Sequence, residues 1–238
     1  MSLAKKIVVI LGGSSGIGLA TARAAEAADA QVIITGRNAA RLEAARASLG
    51  SNVRVRALDA THEASTRAFF DELGALDHLF ITAGTVVGDA KLTLDTAALE
   101  PALATRFWGA LFAAKYAAPR MRSGGSITFT SGTAGRRPLP GTAVSSASCA
   151  AVDSLARALA VDLAPLRVNS IQPGFVDTPL FDALVGPNRE VILADCAKRL
   201  PVKRIGRPEE IADAVLFLMR NGYVTGINLV VDGGSLLV

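Results

Sequence analysis

Short runs of Val, Ile and Leu alternate with alanine-rich stretches from one end of this chain to the other. Ile7 to Leu11 is an unbroken apolar run that reads as a buried strand, and Ile17 to Ala28 carries the spacing of a helix. The alternation continues with strands over Gln31–Thr35, Val53–Ala57, Leu76–Thr82, Ser126–Thr130, Leu166–Ile171 and Ile227–Val231. Helices fall over Ala39–Leu49 and about residues 63–73, 96–121, 143–163 and 208–220. Near-continuous apolar strands separated by helices predict a doubly wound α/β fold, a seven-stranded parallel sheet with helices on both faces. Sheets of this kind bind ligands beyond the carboxyl ends of the strands, where the strand order reverses. Local signals set some boundaries. Asn38 is placed to cap the second helix, and Pro208 with Glu209 and Glu210 suits the start of the last. Asp29 falls where a left-handed residue is commonly needed between helix and strand.

Composition narrows the picture. Of 238 residues 50% are hydrophobic and 19% charged, enough for one well-buried core, and no linker-like stretch divides the chain. A single domain over residues 1–238 is expected. The opening MSLAKKIVVIL runs into glycines with too few apolar residues for a signal peptide, and no uncharged run is long enough to span a membrane. Cys149 and Cys196 have no metal-like spacing and suggest no disulfide framework, so no metal is expected. These features predict a cytoplasmic protein with no membrane partner. The net charge of +4 comes from scattered basic residues such as the Arg136–Arg137 pair. It reads as a solvated face and predicts no nucleic-acid partner.

The candidate chemistry begins at Leu11-Gly12-Gly13-Ser14-Ser15-Gly16-Ile17-Gly18, between the first strand and the first helix. Gly12 permits a tight turn, Gly16 a close approach of backbone to a pyrophosphate, and Gly18 close packing of helix on strand. The helix start, with its unpaired N–H groups, would hold the phosphates. This is the Rossmann-type arrangement for a dinucleotide. At the end of the second strand, Thr35-Gly36-Arg37-Asn38 offers no carboxylate for a ribose hydroxyl and a guanidinium for a 2′-phosphate, which favours NADP(H). Arg37 also reads as a plain solvated turn residue.

The loop resembles that of the short-chain dehydrogenase/reductase family, and further motifs extend the resemblance over essentially the whole chain. Asp59-Ala60 is similar to the family's adenine-contacting site, and Ala83-Gly84 to the end of its Asn-Asn-Ala-Gly motif. Ser131 falls where the active-site serine is expected. Asn169 to Thr178, with Pro173, Gly174, Val176 and Thr178, resembles the nicotinamide-side loop. Arg207-Pro208-Glu209-Glu210 and Val231-Asp232-Gly233-Gly234 resemble the C-terminal signature. The resemblance implies a homodimer or homotetramer acting on a small-molecule substrate, with a flexible substrate lid at about 179–203 bearing Phe181, Leu184, Val185, Ile192 and Leu193.

The resemblance also implies a catalytic set of Asn, Ser, Tyr and Lys, and there this chain departs from it. Ser145-Ser146-Ala147-Ser148-Cys149-Ala150-Ala151-Val152 puts Ser145 at the tyrosine position and Cys149 at the lysine position. Arg106 stands where the asparagine is usual, and of the four only Ser131 is retained. The chain's two tyrosines are Tyr116 and Tyr223, neither followed four residues later by lysine, so no other register restores the pair. An alkyl hydroxyl is far less acidic than a phenol tuned by an ammonium, and loss of a positioned general acid is worth about 10²- to 10⁴-fold. Cys149 reads as a buried thiol or a reactive one. Arg106 reads as a charge aimed into the vacated space or as an ion pair at the surface or a subunit interface. His62 and His78 read as ordinary polar residues away from the cleft, and Phe107 and Trp108 as core or interface residues. Two functions stay open: an NADP(H)-dependent oxidoreductase for a small carbonyl or alcohol with non-standard proton delivery, and a degenerate cofactor-binding subunit or sensor in a hetero-oligomer with an active relative.

Overall fold

A computed structural model describes residues 1–50, 52–84, 95–185 and 188–238. Seven parallel strands form one sheet: β1 (Ile7–Leu11), β2 (Gln31–Gly36), β3 (Val53–Ala57), β4 (Leu76–Ile81), β5 (Met121–Thr130), β6 (Arg167–Pro173) and β7 (Asn228–Val231), in the order β3-β2-β1-β4-β5-β6-β7. The order reverses between β1 and β4, and the register there pairs Leu11 with Ile81. Alternate side chains of β1 serve opposite faces. Val8 and Ile10 meet α1 (Gly16–Glu26), α2 (Ala39–Ala47) and α9 (Pro208–Arg220) through Ala22, Leu42 and Val215. Val9 and Leu11 belong to the other core, with Phe70 of α3 (Glu63–Leu73), Ala113 of α5 (Gly109–Ala117) and Val152 of α6 (Ala143–Asp162). With both faces covered, β1 is apolar throughout and β4 is apolar apart from the buried Asp77 and His78. The helix α6 has the length and composition of a membrane span, but it carries Asp153 and Arg157 and packs Val152 and Ala156 into the core.

The expected boundary signals hold. Asn38 accepts a hydrogen bond from the Arg41 N–H at 2.9 Å, Pro208 opens α9, and Asp29 has φ +60°. The expected single helix over 96–121 does not form. It is divided into α4 (Thr96–Leu103), a π-helical turn over Ala104–Trp108, α5 and a 3₁₀ turn over Ala118–Arg120, and Met121 already belongs to β5. Proline explains part of this. Pro101 removes one backbone donor from α4, and Pro119 cannot extend α5. The lid segment folds as α7 (Pro179–Val185) and α8 (Arg189–Arg199). The side chains of Leu184 and Val185, and residues 186–187 between the helices, lie outside the described residues.

Candidate functional site

Leaving β1, the chain turns at Gly12 with φ +90°, where a Cβ would lie 2.7 Å from the Ala83 nitrogen. A side chain cannot fit there. Thr82 and Ala83 both donate to the Leu11 carbonyl, which ties the loops after β1 and β4 together at the switch point. Gly18 passes so near the loop that a Cβ would stand 2.2 Å from the Gly12 oxygen. Ser15 holds the N-cap of α1 in extended backbone without a side-chain cap bond. The first turn, with Gly16 and Ile17, therefore presents its N–H groups and its positive end to the cleft. Gly16 faces Thr178 from the loop after β6, and the Ser14 hydroxyl lies against Gly36 at the end of β2.

Arg37 and Asn38 follow directly. Arg37 is exposed, and because the Asn38 carbonyl caps α2, its NH₂ is the group left to donate outward. Arg37 and Asp59 border a hollow of about 470 Å³ that also reaches Phe69. Burial raises the Asp59 carboxyl, but the Thr61 hydroxyl and N–H, with His62 and Arg37 nearby, outweigh it and hold it below the usual range. His62 is exposed at the start of α3, with its Nδ1 3.7 Å from Asp59, an ion pair only when the ring is protonated. Ala60 is buried, its carbonyl facing Gly109 at the start of α5. His78 does lie away from the cleft, buried in β4 with Nδ1 2.9 Å from the Ser126 hydroxyl. Phe107 and Trp108 stack edge to face, with Trp108 49% exposed on the outside of the π turn.

Arg106, Ser131, Ser145 and Cys149 all line one cavity of about 480 Å³ beyond the ends of β4, β5 and β6. Ile17, Gly84, Pro173, Gly174, Val176 and Thr178 line it too, so the glycine loop and the four aligned positions share one cleft. Arg106 points inward, carried there by the π turn, and is only 9% exposed. Its Nη1 donates to the Ser131 carbonyl at 3.3 Å, while its Nε is buried without a partner. The Ser145 hydroxyl is likewise buried and unpartnered. The Ser131 hydroxyl donates to the Cys149 carbonyl at 3.0 Å, so its one proton is turned into the α6 backbone instead of toward a substrate. Burial pushes the Cys149 thiol up, and Asp153 adds to this against the opposing charge of Arg106. The thiol is neutral near pH 7. Among the described residues, no tyrosine or lysine lines the cavity. Tyr116 is bonded to Glu63 at 2.7 Å and Tyr223 is 99% exposed.

A family model described as enoyl-(acyl carrier protein) reductase matches residues 12–235. The short-chain dehydrogenase/reductase ucsE of an Acremonium species is 37% identical, the alignment covering 99% of this chain and 97% of the relative. The chain is a member of the short-chain dehydrogenase/reductase family. Among solved structures, a small-chain dehydrogenase in complex with NADPH is 34% identical, with a TM-score of 0.83 over 98% of this chain and 100% of that one. The MalC reductase/Diels-Alderase of Malbranchea aurantiaca is 30% identical, with a TM-score of 0.92 over 99% and 98%.

Among the described residues the cleft keeps the glycine turn and the tied loops after β1 and β4, with Arg106, Ser131, Ser145 and Cys149 on its wall. It can cradle a phosphate at α1 and present a hydroxyl and a guanidinium to a second ligand. It offers no titratable phenol among the described residues. Sequence reasoning missed the walls: Phe175, Leu180, Leu139 and Leu236 supply apolar surface, and Arg137 and Arg199 stand at the opening. Leu139 and Arg137 share the loop that follows β5, so their position at the sheet's carboxyl edge was the available signal.

Proposed function

We propose that this short-chain dehydrogenase/reductase is an NADP(H)-dependent oxidoreductase that acts on a small carbonyl or alcohol without a Tyr–Lys proton donor. The observation that carries the reading is the unpartnered Ser145 hydroxyl, buried in the same cavity as the unpartnered Nε of Arg106. A buried polar group lacking a partner is costly, and a ligand entering the cavity these two share with Ile17 of the glycine loop would satisfy them. The residues present fit the dinucleotide: the uncapped start of α1 and the side-chain-free turn at Gly12 suit the pyrophosphate, and Ser14, Arg37 and the Asn38 NH₂ suit a 2′-phosphate. Asp59 and Ala60 are assigned to the adenine side, Ala83 and Gly84 to the stretch of cofactor that crosses the switch point, and Pro173, Gly174, Val176 and Thr178 to the nicotinamide side. When bound, the cofactor supplies or accepts a hydride. Ser145 donates a hydrogen bond to the substrate oxygen, and Arg106 places a permanent charge beside it. The proton itself reaches that oxygen from water through Ser145, because the Ser131 proton is held by Cys149.

The neutral Cys149 thiol, in place of an ammonium, favours a second reading: a cofactor-binding subunit or sensor paired with an active relative. Both readings take an oligomer, a homodimer or homotetramer in the first case, and a cytoplasmic setting. The exposed Leu103, Trp108 and Val161 on the outer helices support such an interface. Titration of NADPH fluorescence followed by a panel of carbonyl substrates decides between the readings. Turnover that falls about 10²-fold in Ser145→Ala supports the enzyme. Tight NADPH binding with no turnover supports the subunit, and absence of nucleotide binding defeats both.

A further inference from the structure

We infer that the ligand beside the cofactor is a small, mainly apolar carboxylate whose anionic group pairs with Arg106. This inference rests on the oxidoreductase reading and names its substrate class. Among the described residues the charge of the cavity is one-sided: its lining includes Arg106, Arg137 and Arg199 and no aspartate or glutamate side chain. The three arginines are not equivalent. Arg137 and Arg199 are exposed at the opening, and each already has a backbone acceptor, Arg137 in Ser235 at 3.0 Å and Arg199 in Asp195 at 3.4 Å. Arg106 is the deep one. It is nine-tenths buried, has no carboxylate within ion-pair distance among the described residues, and makes one long bond to a carbonyl.

A guanidinium stays charged at any ordinary pH, and a buried charge without a counter-ion is strongly unfavourable. Its flat fork matches a carboxylate in a bidentate pair, and the unpartnered Nε supplies one of the two donors. Gly84 lies beside the guanidinium: a Cβ there would stand 3.5 Å from Nη2. Much of the remaining wall is apolar, with Leu139, Phe175, Leu180, Phe181, Leu200 and Leu236, interspersed with hydroxyls such as Thr142 and Ser145. An apolar body with one anionic end fits this lining. A carboxylic acid held by Arg106 is ionised and cannot be the proton donor, which leaves that step to Ser145 and water.

The test uses the full chain and two isosteric probes, benzoate and benzamide, measured by calorimetry and by shift in melting temperature, with and without NADPH. Benzoate should bind roughly 10- to 100-fold more tightly than benzamide. Arg106→Gln should abolish that preference while raising the melting temperature of the ligand-free protein, since the unpaired charge is gone. Arg106→Lys, which keeps the charge but loses the fork, should retain only part of the preference. Equal affinity for the two probes overturns the inference, as does a benzoate preference that survives Arg106→Gln. Loss of NADPH binding with the benzoate preference intact would instead sink only the oxidoreductase reading.

Discussion

Ser145 and Cys149, where the family resemblance leads one to expect a phenol and an ammonium, bear an alkyl hydroxyl and a neutral thiol, one helical turn apart on α6 and both lining the cavity. The substitution pattern was readable from sequence register alone, because the flanking Ala-Ser and Ala-Ala-Val positions pin it. The inward course of Arg106 and the outward turn of the Ser131 hydroxyl were not readable. The carbonyl of Cys149, distant in sequence, claims the Ser131 hydroxyl, and a local change of helix type, the π turn around Arg106, aims the guanidinium. The structure makes the three positions interdependent. A lysine at 149 would place a second cation beside Arg106, whose charge already acts on the Cys149 thiol. The double change Ser145→Tyr with Cys149→Lys should therefore be less stable than the triple change that adds Arg106→Asn, by about 1–3 kcal/mol. Carbonyl reduction should be gained in the triple variant ahead of the double. Thermal melts and a turnover assay check both halves, and equal stability of the two would disprove the coupling.

Secondary structure was most legible where a strand is buried on both faces or a cap is explicit. Each of the seven predicted strand segments carries a strand, although β5 starts at Met121, before the predicted Ser126, and Asn38 caps α2. Periodicity could not reveal the break within residues 96–121, because α4, the π turn and α5 keep one apolar stripe while their hydrogen-bond pattern changes. Asn38 offers a clean dissection at this scale, since its carbonyl serves the helix and its NH₂ faces outward beside Arg37. Asn38→Ala should lower stability by about 1 kcal/mol, a fall in melting temperature of about 2–4 °C. Asn38→Asp should keep the cap within a few tenths of a kcal/mol, yet place a negative charge where a 2′-phosphate would sit. Its preference for NADPH over NADH should fall by roughly tenfold, a difference of about 1.4 kcal/mol. A preference unchanged in Asn38→Asp, read from parallel NADPH and NADH titrations, would place the 2′-phosphate elsewhere.

The molecule as a whole is a sheet sealed on both faces, and the seal has an electrostatic consequence at its centre. Of two histidines, His62 is exposed at the start of α3, while His78 lies inside the sheet, bonded to Ser126 and near Asp77, Arg167 and Lys6. Burial, reinforced by Arg167 and only partly opposed by Asp77, lowers its pKa to about 4 from 6.5. The folded chain thus favours the neutral ring, and the unfolded chain binds the proton more readily. Stability from this group is complete above about pH 6.5 and declines as pH falls toward 4, where the loss levels off, on the order of 3 kcal/mol at most. The lowered carboxylates act in another window. Glu210, held at about 2 by Arg204 and the Arg207 N–H, loses its contribution only below the ordinary carboxylate range. Urea unfolding at pH 7.5, 6.0, 5.0 and 4.5 should therefore show a steady fall in the midpoint for the unmodified protein. In His78→Asn, which keeps a polar group toward Ser126 but cannot titrate, the fall should be largely flattened between pH 6.5 and 4.5. A His78→Asn profile parallel to that of the unmodified chain would mean that the sheet interior admits the protonated ring, and with it water, far more readily than its packing indicates.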